Sequence, residues 1–307
     1  MANPRIIPRI KDSTIAIALA DTARMPIEIL GSGVMVDPEG YFITAGHVIE
    51  DFQDRQKRIK DDKGIETWLS IFSYVIKDDG YHLIFNRIGN YGLLKAKLQL
   101  NIELDFDIAF GNLAEKENDH PFLEIETRLK HYTFDEIFMC GYPGGEITFH
   151  PNGTVLDMTH SPVLQYGRIA SLLPGDDAPT SQGIITDIIG TGMSSGSPII
   201  DAHTGMIIGI AQDVIGSKLI ATAKYEDTLY TLDETKKTLV DTTAKKRTVV
   251  DGHAQVGLVM GVSNAIFGDI PKAIQQMKAG SQTITNLQYH SSTQIPLYTI
   301  EGSPNNK

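Results

Sequence analysis

Cysteine is nearly absent from this chain of 307 residues, and Cys140 is its single example. No internal disulfide can form, so the fold must be held by its core, and a reducing compartment is the expected setting. No apolar run approaches the roughly 18 residues that span a bilayer, which excludes a membrane-crossing helix. A basic surplus is missing as well. With 27 Lys and Arg against 38 Asp and Glu, a net charge of −11 and a pI near 5.2, a general nucleic-acid partner is excluded, because phosphate neutralisation needs a cationic face. There is no His-Glu-x-x-His pattern and no cysteine cluster, so no metal and no cofactor is expected.

What is present suits a globular chain with a sizeable core, at 41% hydrophobic and 21% charged residues. Arg5, Arg9 and Lys11 precede the apolar run Ile15 to Ala20, a pattern shared by secretory leaders and by a first barrel strand. Asp12 and Ser13 interrupt that junction, and a cytoplasmic protein is the expectation. Residues 30–45 read as a β-hairpin turning at Asp37-Pro-Glu-Gly40. Strand patterns follow at 66–76, 81–86, 92–99 and 104–110, then from 133 and at 162–172, 183–189, 198–202 and 205–212. Many short strands with short links favour a barrel or sandwich over alternating βαβ units.

The strands fall into two sets, separated by the charged stretch 113–130. Residues 217–252 carry Lys236-Lys237 and Lys245-Lys-Arg247 among threonines and acids, so they read as a polar insertion, either a protruding hairpin or a mobile loop. One late helix is expected at 269–280, with Pro271 in its first turn and Gly280 as its stop. The tail from Ser281 is polar.

The chemistry concentrates in Gly190-Thr-Gly-Met-Ser-Ser-Gly-Ser-Pro198. Read as G-x-S-x-G, it is a nucleophile elbow with Ser194 at its centre. That elbow must run from a strand into a helix, whereas Pro198 and Ile199-Ile200 read as the start of a strand. Ser195 is the other candidate. A nucleophilic serine needs a base, a group that orients the base, and donors for the oxyanion. Of nine histidines, His47 stands out, because it follows the strand Tyr41 to Ala45 and has Gly46 beside it. Asp105 and Asp107 share one face of the strand 104–110, and either could orient the ring.

Ile43-Thr-Ala-Gly-His-Val48 resembles the histidine signature of the trypsin-like, chymotrypsin-fold serine proteases, above all their disulfide-free bacterial HtrA-like branch. Asp107-Ile-Ala109 is similar to the aspartate segment of that branch. Gly141-Tyr-Pro143, Tyr166 to Ala170 and Ser195-Gly-Ser-Pro198 are similar to its later motifs, in order, over roughly residues 30 to 266. The resemblance implies an all-β fold of two six-stranded Greek-key barrels with a C-terminal helix. Residues 1–120 would form the barrel with His47 and Asp107, 121–268 the barrel with Ser195, and 269–307 the helix and tail.

It further implies a serine endopeptidase using Ser195, His47 and Asp107, with Asp107 favoured over Asp105. The N–H groups of Met193 and Ser195 would bind the oxyanion, and Ile189 would line the substrate pocket. With no acid at Ile189, small or medium apolar side chains are expected there, unless Asp187 points inward. The family usually has glycine where Met193 stands. If that position needs φ > 0, methionine costs on the order of 1 kcal/mol there. The loop could then hold one extra residue, the hole could form only on activation, or the site could be impaired. An impaired site would leave a peptide-binding module, the alternative reading, with an esterase using Ser194 behind it.

Peptide or protein substrates are the expected partners. About 40 residues follow the second barrel, fewer than the about 50 a further domain needs, so control is expected from a regulatory protein partner or from the 217–252 insertion.

Overall fold

A computed structural model describes residues 6–21, 26–64, 66–77, 80–99, 103–115, 119–127, 130–143, 147–149, 155–158, 162–173, 175, 183–216, 218–233, 238–255, 257–263 and 270–279. Helix α1 (Ile6–Ser13) leads into β1 (Thr14–Asp21), β2 (Pro26–Asp37) and β3 (Tyr41–Ala45). The short α2 (Gly46–Glu50) and α3 (Phe52–Lys63) precede β4 (Thr67–Lys77), β5 (Gly80–Gln99) and β6 (Glu103–Leu113). These six strands close into an antiparallel barrel in the order β1-β2-β3-β6-β5-β4. The two strand patterns expected at 81–86 and 92–99 form the single strand β5, with its register shifted between Ile88 and Tyr91.

The second half supplies β7 (Glu136–Gly141), a small hairpin of β8 (Ile147–Phe149) and β9 (Val155–Met158), then β10 (Val163–Leu173), β11 (Gly183–Gly190), β12 (Pro198–Asp201) and β13 (Ile207–Ile215). After β13 come β14 (Lys218–Asp233), β15 (Thr238–Gln255), β16 (Gly257–Ser263) and the helix α4 (Ile270–Lys278). A second closed barrel has the order β10-β11-β16-β13-β12-β7. Two six-stranded antiparallel barrels with a C-terminal helix are the chymotrypsin-like architecture that the motifs implied. The insertion is an antiparallel pair, β14 with β15, running from Lys218 opposite Gln255 to Asp233 opposite Thr238, with its register shifted between Thr228 and Tyr230.

The apolar run near the N-terminus belongs to the first barrel. Ile15, Ile17 and Leu19 point into its core, while Ala16 and Ala18 pack with Ile29, Phe72 and Tyr142. Small side chains on that second face let Tyr142, just past β7, approach closely, and its ring meets Phe72 edge-on at 5.4 Å. A strand buried on both faces reads as a continuous apolar run.

Between the barrels lies a shared core. Val34, Tyr41, Ile43 and Phe110 of the first meet Phe138, Cys140, Ile200, Ile210 and Val262 of the second. Helices α1 and α4 close it with Ile10, Ile270, Ala273 and Ile274. Lys278 fastens α4 to the β2–β3 turn through Asp37 and Glu39, each at 2.8 Å. Burial pushes the Cys140 thiol up to about 11, so it is a packed strand residue without thiolate character at neutral pH.

The loop that leads into β12 is pressed against β2. Gly196 has φ +86, and a Cβ there would lie 1.9 Å from the Ser32 carbonyl oxygen. Gly196→Ala is therefore expected to destabilise the protein by about 3 kcal/mol, from the left-handed backbone and the displaced strand together. Denaturant titration checks this, and an unchanged midpoint would contradict the close approach.

Candidate active site

Strand β3 ends at Ala45, and the chain turns into α2 through Gly46, where a Cβ would stand 2.8 Å from that of Asp107. Only glycine lets β3 and β6 come this close, and the contact places His47 over Asp107. The ring Nδ1 lies 3.2 Å from Asp107 Oδ1, and the His47 backbone N–H donates to Asp107 Oδ2. One carboxylate thus holds both ring and main chain. The His47 side chain is 40% exposed and that of Asp107 17%, so the ring keeps an open face while the carboxylate is shielded.

Burial alone would lower the His47 pKa. The hydrogen bond and charge of Asp107, with the carboxylates of Asp51 and Asp213, outweigh it and raise the pKa above the usual imidazole value. Asp105 lies outside the residues whose side chains are described; its backbone pairs with Lys97 in the β5–β6 ladder.

Ser195 arrives from the second barrel. Its main-chain carbonyl accepts the Ser32 N–H at 2.8 Å, and its hydroxyl donates to the Gln212 carbonyl at 3.0 Å. Among the described hydrogen bonds the hydroxyl is thus directed to Gln212 rather than to the His47 ring. Gln212 is buried, and its side-chain Oε1 accepts the Asp107 backbone N–H at 3.2 Å. It therefore touches the Asp107 strand with its side chain and the Ser195 hydroxyl with its carbonyl. Gln212 thus links Ser195 to the strand of Asp107, which in turn holds His47.

Ser194 is only 3% exposed, and its Oγ accepts the Thr191 N–H at 3.2 Å. The Ser194 N–H donates to the Thr191 carbonyl at 3.1 Å, so its role is to close the turn. Past Ser195 the chain enters strand β12 at Pro198, not a helix, and the strand-turn-helix of a nucleophile elbow is absent. Met193 has φ +69, so the left-handed conformation is required of a methionine, at about 1–2 kcal/mol.

A pocket of about 70 Å³ opens beside Ser195, with Thr191, Gly192 and Ser194 on one side and Ala211, Asp213, Val214 and Val259 on the other. Ile189 does not line it, contrary to the expectation from its spacing. Along β11 burial alternates, so Ile188 enters the core and Ile189 stands outward, 58% exposed. Asp187 is also turned away, accepting the Arg168 N–H from β10 at 2.6 Å. The carboxylate at the pocket is Asp213.

Gln212, Asp213 and Ser32 were not found by reading the sequence. A glutamine and an aspartate late in a strand, or a serine between two glycines, carry no local signal. Only strand pairing brings them to the site. Among the described residues, no group of three or more His, Cys, Asp or Glu side chains could hold a metal ion, and no helix is long and apolar enough to cross a membrane.

The sequence profile of a family described as "Trypsin-like peptidase domain" matches residues 31–210, more than half of the chain. A comparison with curated proteins finds no match. Among solved structures the chain is similar to that of Deg5, at 16% identity and a TM-score of 0.43, covering 68% of this chain and 82% of that one. It is similar to the HtrA-type protease AlgW with a decapeptide, at 14% identity and a TM-score of 0.47, over 90% of this chain and 67% of that one. A serine endoprotease from Yersinia pestis shares 14% identity at a TM-score of 0.46, covering 88% of this chain and 65% of the other.

Proposed function

The chain belongs to the trypsin-like peptidase domain family, and from that premise we propose that it is a serine endopeptidase. His47 takes the proton from Ser195 Oγ as the oxygen attacks the scissile carbonyl, then returns it to the leaving amine. Asp107 fixes the ring through Nδ1 and stabilises the imidazolium while the proton is held. The N–H groups of Met193 and Ser195 receive the negative charge that develops on the carbonyl oxygen. Water then hydrolyses the acyl-Ser195 ester with His47 again as base.

One observation carries this reading: the His47–Asp107 pair, with its raised imidazole pKa, is joined to Ser195 through the buried Gln212. The cavity of about 70 Å³ lined by Val214 and Val259 suits a small apolar side chain before the scissile bond.

A second reading has its own support. The Ser195 hydroxyl rests on the Gln212 carbonyl, and Met193 holds a strained turn, both of which suit a groove that binds peptides without cutting them. The two readings part on a fluorophosphonate reaction mapped by peptide mass spectrometry. An adduct on Ser195 is expected. A folded protein that binds an extended peptide yet forms no adduct, with or without that peptide, is a binding module. An adduct on Ser194 instead would make Ser194 the nucleophile.

A further inference from the structure

Ser32 lies in β2 of the first barrel, is fully buried, and makes four hydrogen bonds, two of them to the loop that carries the nucleophile. Its N–H donates to the Ser195 carbonyl at 2.8 Å. Its Oγ donates to the Met193 carbonyl at 3.0 Å while accepting the Tyr142 N–H at 2.8 Å. Its own carbonyl accepts the Thr44 hydroxyl at 2.6 Å. A single residue of one barrel thus grips the carbonyls at both ends of Met193-Ser194-Ser195 on the other.

The hydroxyl orientation follows from its partners. A serine oxygen that accepts the Tyr142 N–H still has one hydrogen to donate, and the Met193 carbonyl is where it goes. That carbonyl is the one most in need of a restraint. Met193 holds φ +69, from which a residue with a Cβ tends to relax toward negative φ. Relaxation turns the peptide planes on either side of Met193, one of which carries the N–H proposed to face the oxyanion. It would also pull the Met193 carbonyl off Ser32.

We propose that Ser32 is a positioning residue for the oxyanion loop: its hydroxyl holds the Met193 carbonyl, and so keeps the left-handed Met193 turn, with the Met193 and Ser195 N–H groups, aimed at the substrate carbonyl. The role rests on the protease reading above. It also answers how a methionine can occupy a place that favours glycine, since the restraint is supplied from the neighbouring barrel rather than by the loop itself.

The experiment compares wild type, Ser32→Ala, Met193→Gly and the double variant, by kcat and KM for peptide cleavage and by the rate of fluorophosphonate labelling. Each protein is first checked for cooperative thermal unfolding. Losing an oxyanion donor costs about 100- to 1,000-fold in kcat, so a loosened loop in Ser32→Ala should lose about 30-fold, with KM within about 3-fold. Glycine accepts the left-handed turn without restraint, so in the Met193→Gly background the same Ser32→Ala change should cost less than about 3-fold.

Rescue of this kind is not expected of a residue that only fills core space. Equal losses in both backgrounds, or a Ser32→Ala protein with wild-type kcat, would overturn the role while leaving the protease reading in place. A wild-type protein that neither labels nor cleaves overturns the protease reading and this role with it. If Ser32→Ala does not fold, Ser32→Cys carries the same comparison, because its thiol is a weaker donor from the same position.

Discussion

Ser195→Ala is expected to lower kcat for peptide cleavage by about 10⁵- to 10⁶-fold, the loss seen when the nucleophile of such a triad is removed. The size follows from the division of labour. Without Oγ no acyl-enzyme can form, and His47 has no hydroxyl to deprotonate, so only binding and any oxyanion donors continue to act on the substrate. For the same reason His47→Ala added to Ser195→Ala should cost little more, since the two residues act as one unit. Steady-state cleavage of an unfolded protein or a small-residue peptide, with contaminating protease controlled by inhibitor, measures it.

Ser194→Ala in the same assay should fall by no more than about tenfold, because it leaves the Thr191 N–H short of one acceptor, worth on the order of 1 kcal/mol. Retention of even a hundredth of the activity in Ser195→Ala, or a larger loss in Ser194→Ala, would refute the assignment of the nucleophile.

The second large effect concerns Asp107. Asp107→Asn should lower kcat by about 10⁴-fold, with KM little changed. The asparagine oxygen can still accept the His47 backbone N–H, so α2 keeps its place. Its amide can no longer hold the ring as a carboxylate does, and the favoured tautomer is lost. The pH profile separates this from general damage. His47 must be neutral to act as base, so kcat/KM rises with pH through its pKa, which lies above the ordinary imidazole value. Burial lowers that pKa, while Asp107, Asp51 and Asp213 raise it. Removing the hydrogen bond and charge of Asp107 should therefore move the acidic limb to lower pH even as the plateau collapses.

The same pair contributes to stability in a defined window. The contribution is fully present below the unfolded-state pKa of His47, where the ring is protonated in both states. It is lost as pH rises through the higher folded value. An acidic limb that stays in place in Asp107→Asn would show that this carboxylate does not set the pKa of the base.

Residues with strong local patterns announced themselves. The hairpin at 37–40, the strand before His47 and the strand after Pro198 were all legible, because β-branched and aromatic residues alternate there between turn residues. Helix α3 was not. Its sequence FQDRQKRIKDDK carries one buried apolar residue, Ile59, and the helix is tied down by ion pairs from Arg55 and Arg58 to Glu28, remote in sequence. Ile189 stands on the outward side of β11, which spacing from the nucleophile could not show, because spacing does not say which face of a strand looks inward. The far wall of the pocket, Val214 and Val259, comes from two other strands.

By itself, then, the order of short motifs determined the barrel class, and it singled out Ser195, His47 and Asp107 as the candidates for the site. These depend on residue type and near-neighbour periodicity, which a linear chain displays. Tertiary structure decided the rest. It placed a left-handed turn on Met193, set Ser32 and Gln212 between the two barrels, turned Ile189 to the surface and brought Asp213 to the pocket. Each of these depends on strand register and on contacts between residues far apart in the chain, where a side chain's role is set by what lies opposite it rather than beside it.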